Sequence, residues 1–547
     1  MIKRHRPPMT AARRRIAAPL IVAAATLLVF WACVHNAFVS ADDPDYLNHP
    51  FQGIGLSSLL GTFSNFHASN YVPLTFLSLS IDSAIWGMDP YGYHLTNVLL
   101  HAANAVIFYF LCLELLAAGG ATDDDRPTAA AAALLFCLHP LRVQSVAWVA
   151  ERKDVLCGVF FLLALLFWMR SHRRGGLNGA RGKTASFFAF LLALFSKGAA
   201  IPLPLVLMIL DFEPLRRAPT SLRAWLGSPL LKEKLPFLAL AGAFVGLTVA
   251  AQSRGAIVRS VHVETLQKFN QIAFNQVFYL GKLLWPTDLA FYEWHWFPIR
   301  SAVILGTLAM SATLAAAILS RRLRAPLLAA AAYQTVMLAP VSGFITIGHE
   351  IVADRYSYLS GLGWAVLFGL GLRELARRHR TAAWGIACAL LTVFAGATRA
   401  QIGVWRDSKT LWRQVAQVDP ESWGARANLA AYLAQKGRAG EAILYLEEHL
   451  SLYPQDEEVR RALDGLIAKT GATVRDRAGF HEQLGLEWAA EEEFKKAAWH
   501  FERGLRYDPG LDRLKKELDQ ARLAAANQRP WAAFLRTLFP KDRKTAD

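Results

Sequence analysis

Apolar runs of about twenty residues recur from the N-terminus to about Ile402 and then stop. Each is long enough to cross the ~30 Å hydrocarbon core of a bilayer as a helix. No water inside that core can satisfy a free N–H or C=O, so a polytopic chain of such runs must be a bundle of helices. With 54% hydrophobic residues the chain is too apolar to be one ordinary soluble domain. An all-α membrane bundle is therefore expected over residues 1–402, followed by a region of different character.

Runs centred near residues 27, 105, 138, 162, 191, 206, 244, 310, 333, 366 and 391 give about eleven spans. Gln271 to Trp285 is a doubtful twelfth, being short, carrying Lys282 and ending at Pro286. Basic clusters at 170–183, 216–234, 320–324 and 373–380 should all be cytoplasmic. They are so only if Gln271–Trp285 is re-entrant or interfacial. The N-terminus, with Lys3, Arg4, Arg6 and Arg13–Arg15 before a long apolar run from Ala17 to Phe38, is then cytoplasmic. A cleavable signal ending at Val39-Ser40-Ala41 is the competing reading, and the length of the run favours an uncleaved span. The outer face receives the long first loop, 38–93, the stretches 139–154, 254–299 and 341–357, and everything after Gln401.

The net charge of +16 sits in short clusters between apolar runs, as topology signals do, and no nucleic-acid-binding motif accompanies it. Cys33, Cys112, Cys137, Cys157 and Cys388 all lie in apolar segments and form no CxxC or Cys/His cluster, so they read as core residues.

In the tail, Pro420 and Pro454 stand 34 residues apart, the period of a tetratricopeptide (TPR) helical hairpin. Leu429, Ala430, Gly437, Ala442 and Leu446 fall at the small and apolar positions, with His449 where a small residue is usual. A second unit ends at Pro509 with Leu484, Gly485, Ala497, Phe501 and Gly504 in phase, after a degenerate stretch at about 456–477. A TPR domain is expected over 403–520 on the non-cytoplasmic side, and an amphipathic or disordered tail over 521–547.

The outer stretches carry the chemistry. Asp42 and Asp43 follow the first span directly, a place for a general base or a metal ligand, or else a solvated helix start, since Asp-Asp-Pro also begins helices well. His94, Asn97, His101 and Asn104 share one helix face, as interhelical packing or as ligand contact. The segment from His139 to Asp154 brings Arg142, Glu151, Arg152, Lys153 and Asp154 between two spans. Its cations could clamp phosphate oxygens or pair with its own acids. Lys197 adds a cation at an outer turn, and Tyr279 and Lys282 precede an ADRYSYL element with Asp354, Arg355, Tyr356 and Tyr358.

Taken in order, the acidic pair, PLT, GYHLTN, HP with ERKD, Lys197 before a proline-bearing span, ADRYSYL, and W.DS..L (Trp405, Asp407, Ser408, Leu411) resemble the transmembrane and TPR-containing protein family. Its better-studied members are O-mannosyltransferases of the GT-C type. The resemblance implies a GT-C-like fold and an integral membrane enzyme that takes a hexose, mannose being one option, from a polyprenyl-phosphate carrier. The sugar goes to a protein or other hydroxyl on the outer face. It implies Asp42 and Asp43 as the catalytic carboxylates that deprotonate the acceptor hydroxyl, and on that reading Arg152, Lys197 and Arg355 are the candidates for holding the donor phosphate; His94, His139, Glu151, Asp154 and Tyr356 are the other outer-face candidates. It gives no metal ligands and leaves a divalent metal open; the TPR groove would hold an acceptor polypeptide. The family commonly has an acid where this chain has Gln144 and Arg or His where it has Val72, departures that bear on donor preference or activity. The Ala- and Arg-rich composition, without a eukaryotic targeting signal, points to a bacterial inner membrane with undecaprenyl phosphate as carrier. The rival readings are a non-enzymatic, membrane-anchored TPR scaffold for envelope assembly and, from span number alone, a transporter.

Overall fold

The computed structural model describes residues 11–293 and 323–527, apart from short stretches at 51–52, 121–124, 175, 220–222, 225–226, 254–264, 343–349 and 472. The span expected near residue 310, part of the outer stretch 254–299 and the tail beyond 527 lie outside the described residues. The chain divides into two compact units, one of Met1–Phe38 and Asp42–Trp405, the other of Val39–Ala41 and Arg406–Asp547.

The first unit is an integral-membrane helix bundle. Its opening elements are α1 (Ala11–Phe30), α2 (Asp43–Leu47), α3 (Leu56–Ser64), α4 (Pro73–Trp86) and α5 (Pro90–Ala118), then α6 (Arg126–Leu138), α7 (Val143–Ala147), α8 (Arg152–Arg174), α9 (Gly176–Ser196) and α10 (Leu203–Phe212). Among the described residues five segments are long and apolar enough to cross a membrane: Ile16–His35, Pro90–Ala118, Val149–Arg173, Leu235–Gln252 and Arg380–Val404. Two bent helix pairs, Arg126–Leu138 with Pro140–Ala147 and Asp354–Ser360 with Leu362–Arg378, raise the number to seven. The runs near 191, 206 and 333 are helical too, as Gly176–Ser196, Leu203–Phe212 and Arg324–Leu338. The first of these carries Arg181 and Lys183 in its N-terminal half and the other two are short. Gln271–Trp285 falls largely within the helix Thr265–Leu284, which is not among the spanning segments.

The two bends have identifiable causes. Pro140 has no N–H to donate and drives His139 to an extended ψ of 135°, so the first pair turns by 57° there. The exposed N–H of Leu141 is recovered by His139 Nδ1 at 3.2 Å. The second pair turns by 60° at Gly361, where a Cβ would lie 3.1 Å from the Ser357 carbonyl and 3.2 Å from the Arg142 guanidinium. A short antiparallel ribbon, Phe291–Glu293 with Glu350–Ala353, pairs Phe291 with Ala353 and so delivers the chain to Asp354. Tyr279 anchors that point, its hydroxyl donating to the Ala353 carbonyl at 2.9 Å.

Helix α5 runs against α1, α6 and α8, and its polar stripe faces these neighbours. Asn97 donates to the Val146 and Trp148 carbonyls at 3.1 and 3.3 Å, His101 bonds the Tyr358 hydroxyl at 2.9 Å and the Cys137 carbonyl at 3.1 Å, and Asn104 reaches the Val155 carbonyl and the Tyr358 hydroxyl at 2.8 Å each. Of the two readings of this stripe, these three residues take interhelical packing.

The second unit contains, among the described residues, the helices Ser408–Val418, Trp423–Gln435, Ala439–Leu452, Glu457–Thr470, Val474–Ala490, Phe494–Tyr507 and Asp512–Asn527. Two of the successive pairs are hairpins ending at the expected prolines, and the degenerate stretch is the helix Glu457–Thr470 standing between them. The small residues of the repeat are required by packing: a Cβ at Gly485 would fall 2.3 Å from the Phe501 ring, and one at Gly504 2.6 Å from Leu514. Asp407 caps the first helix, accepting from Thr410 N at 2.8 Å, which accounts for the DS of the W.DS..L string.

His481 and His500 meet between the second pair of helices, Nδ1 to Nδ1 at 3.1 Å. Burial, then the cationic Arg503, pushes His481 down to about 4 from its ordinary 6.5. Burial, then His481, pushes His500 down to about 3. Both stay neutral in the folded unit at pH values where the unfolded chain takes up protons. Their contribution is therefore complete above about 6.5 and is lost as the pH falls from there toward the folded values. Hydrogen exchange of Val474–Asn527, corrected for intrinsic rate, is expected to quicken by about tenfold per histidine per pH unit below that point. Replacing His481 by Phe should remove much of the dependence.

Candidate functional site

The site is built where several breaks in helical structure meet. Asp43 opens the short helix α2 and is buried, and its Oδ1 accepts from the backbone N–H of Ala150 at 2.8 Å. This bond ties the loop that follows the first span to the turn that starts α8. Asp42 occupies the N-cap position of α2, is exposed, and does not use its side chain for capping. The helix-start reading thus holds for its position, while its carboxylate stays open to solvent.

Next to Ala150, Glu151 is 1% exposed and gathers three cations. Lys153 lies 3.2 Å and Arg355 3.3 Å from Oε1, and Lys197 lies 2.9 Å from Oε2. Lys197 also reaches Asp154 at 2.8 Å, whose second oxygen accepts from Ser145 Oγ at 3.0 Å. For Lys197, burial pulls the ammonium pKa down, Asp154 and Glu151 pull it up, and the net displacement is upward, so it is a cation at neutral pH. Lys153 reaches on to Tyr46, donating to its hydroxyl at 3.0 Å and lying 4.3 Å from its ring centre. Burial raises the Tyr46 phenol, followed by the opposing pull of Lys153 and the push of Asp42, so it remains protonated while close to that exposed carboxylate.

Arg355 sits over Trp148 and Tyr356, at 5.4 and 5.0 Å, and Trp148 is stacked on Trp405 at 5.4 Å. The backbone N–H of Arg355 donates to Gln144 Oε1 at 2.7 Å. An amide at position 144 therefore keeps a bond that a carboxylate could also make, without adding a negative charge beside Arg355. Val72 is buried at the start of α4.

The expected residues thus separate into two groups. Asp42, Asp43, Glu151, Asp154, Lys197, Arg355 and Tyr356 belong to one neighbourhood, in which Glu151 and Asp154 pair with Lys197, Glu151 also pairs with Arg355, Asp43 holds the Ala150 amide and Asp42 stays exposed. Arg152 is engaged elsewhere: its guanidinium is fully buried against Asp82 at 2.6 Å. His139 caps its own turn and bonds the Leu283 carbonyl at 2.9 Å, and His94 is fully buried in α5. Tyr46 and Trp148 were not singled out by sequence; the only signals they offered were an aromatic one turn after the acidic pair and another just before ERKD. Among the described residues no three His, Cys, Asp or Glu side chains converge as metal ligands.

Chemically, the arrangement offers an exposed carboxylate, Asp42, within electrostatic reach of Lys153, and two partly exposed cations, Lys197 at 19% and Arg355 at 12%, held in register by the buried Glu151 that Lys153 also pairs with. Replacing Glu151 by Gln would leave three cations without their common counterion. It is expected to cost about 3–5 kcal/mol, read as a lowered midpoint of thermal unfolding of the full chain in detergent. Glu151→Asp should cost less.

No family model matches the chain. It is 26% identical to human Protein O-mannosyl-transferase TMTC1 over 493 residues, covering 80% of this chain and 54% of that protein. Against human Protein O-mannosyl-transferase TMTC4 it is 26% identical over 465 residues, covering 76% and 62%. A shorter stretch of 123 residues is 41% identical to Protein O-mannosyl-transferase tmtc2 of Xenopus laevis, covering 22% of this chain and 14% of that one. The chain spans about half to three fifths of the length of the first two relatives. Among solved structures, ArnT from Cupriavidus metallidurans bound to undecaprenyl phosphate superimposes over 84% of this chain and 80% of that one, at 16% identity and a TM-score of 0.39, too loosely to align a site. By sequence, this chain is a divergent relative of the transmembrane and TPR-containing protein family.

Proposed function

We propose that the protein is an integral-membrane glycosyltransferase that moves a hexose, mannose in the first instance, from a polyprenyl-phosphate carrier to a protein hydroxyl on the outer face. The observation that carries this reading is the bond from Ala150 N–H to Asp43, which fastens the acidic pair to the cation cluster around Glu151. Transfer from a phosphate needs both parts at once. The hydroxyl oxygen attacks the anomeric carbon as its proton passes to a carboxylate, and the bond from that carbon to the phosphate oxygen breaks. Negative charge then grows on the departing polyprenyl phosphate.

In this division of labour Asp42 is the base, because it is the exposed member of the pair, and Asp43 holds the turn together from within. Lys197 and Arg355 receive the phosphate, being the partly exposed cations of the cluster. The relatives' names, protein O-mannosyl-transferases, support a protein acceptor and a mannosyl donor. An acceptor segment lying along the TPR helices, and a bacterial inner membrane with the TPR unit in the periplasm, complete the proposal.

The test is transfer of radiolabelled mannose from polyprenyl-phosphate mannose to membrane protein, at equal expression of each variant. Asp42→Asn is expected to reduce transfer by about 10²–10⁴-fold with little change in donor KM. Lys197→Met and Arg355→Gln should raise donor KM. Wild-type-like transfer in Asp42→Asn would remove it as the base, and no transfer by the wild type with several sugar donors would favour the membrane-anchored scaffold.

A further inference from the structure

Arg152 stands between Glu151 and Lys153 in sequence, yet it takes no part in their cluster. Successive residues on a helix are rotated by about 100°, so the first turn of α8 sends its side chains in different directions. Arg152 points into the protein and is fully buried. Its Nε donates to the side-chain oxygen of Asn97, Nη1 to Ser78 Oγ at 2.8 Å, and Nη2 to Asp82 Oδ2 at 2.6 Å and the Tyr93 carbonyl at 2.8 Å. These bonds use most of the five N–H donors of a guanidinium, and the side chain has no exposed surface from which to meet a phosphate.

The partners are themselves tied. The other oxygen of Asp82 accepts from Thr96 Oγ1 at 2.8 Å, and the Asn97 amide donates to the Val146 and Trp148 carbonyls, just before Ala150. One guanidinium thus joins α4, the first turns of α5 and the chain entering α8.

We infer that Arg152 is a positioning residue: paired with Asp82, it fixes the first turn of α8 so that Glu151, Lys153 and Asp154 can meet Lys197 and Arg355, and it touches neither donor nor acceptor. The significance of that role rests on the functional reading above, but the role itself is open to measurement in protein without substrate. In the full chain in detergent, amide hydrogen exchange over 148–154 and 92–97 is expected to quicken roughly tenfold in both Arg152→Lys and Asp82→Asn. The helix Leu235–Gln252 should be unaffected. The double variant should exchange little faster than Arg152→Lys alone, because the guanidinium–carboxylate pair that Asp82→Asn breaks is already lost in Arg152→Lys. Ser78→Ala, which leaves the ion pair intact, should give a smaller change confined to the same segments and guards against variants that fail to fold.

Unchanged exchange at 148–154 in both single variants would overturn the inference. So would additive effects in the double variant, or acceleration spread evenly over the whole membrane unit. Binding of polyprenyl monophosphate provides the opposing arm: weaker binding in Arg152→Lys with exchange at the wild-type rate would make Arg152 a phosphate ligand instead. Failure of the wild type to transfer sugar would count against the glycosyltransferase reading while leaving the exchange result to stand or fall alone.

Discussion

A carboxylate withdrawn from water inside a helix bundle loses several kcal/mol of hydration, and only close counterions and hydrogen bonds can offset that loss. Glu151, at the end of the turn before α8, meets this constraint with Lys153 from the first turn of α8, Lys197 from the turn after α9 and Arg355 from the turn after the short ribbon. Each cation arrives on a different element, so the carboxylate fixes three backbone segments at once. Moving any one of them strands a buried charge, which makes the cluster a rigid frame. Asp43 extends the frame to the loop after the first span through the Ala150 amide, so the exposed Asp42 inherits its place from the turn that carries Glu151.

The same constraint explains why the helices break where they do. A continuous helix would bury its N–H groups in its own ladder and leave none for side-chain acceptors. Where Pro140 interrupts the chain, His139 Nδ1 takes up the Leu141 amide, and a few residues later Gln144 takes up that of Arg355. The turn before α8 frees the Ala150 amide for Asp43. Breaks inside a membrane unit are tolerated only when each released backbone group finds a partner of this kind. At Arg355 and Ala150 the partners, Gln144 and Asp43, border the charge cluster, so there satisfying the backbone and assembling the charges are one structural act.

Much of this organisation was legible in the sequence because it is periodic. Apolar runs, the polar stripe of α5 and the 34-residue proline spacing are local patterns with a fixed geometric meaning. What sequence could not supply is who pairs with whom. Gln144 and Arg355 are 211 positions apart, and nothing local in either predicts the other. The adjacent cations of ERKD look equivalent in a string, and only the fold separates them. Helical rotation alone sends Lys153 into the cluster and Arg152 into a knot with Asp82. Span number was similarly blurred, since the apolar part of a short or bent helix gives the same signal as a full crossing. The ribbon leading to Asp354 is too short to leave any alternation to read.

The TPR unit repeats the motif of one anion among several cations, and the contrast is instructive. Glu487 receives Lys409 at 3.0 Å, Arg413 at 2.9 Å and Arg438, but its side chain is 28% exposed. Solvent and salt screen such a group, so its contacts join helices without fixing them firmly. At Glu151, 1% exposed, screening is largely absent and the cations stay in place whatever the ionic strength outside. The transfer proposed above calls for this second arrangement, because cations that receive a phosphate must already be gathered and oriented before the anion arrives. The buried carboxylate does that gathering, and the partly exposed edges of Lys197 and Arg355 are what it leaves available for binding.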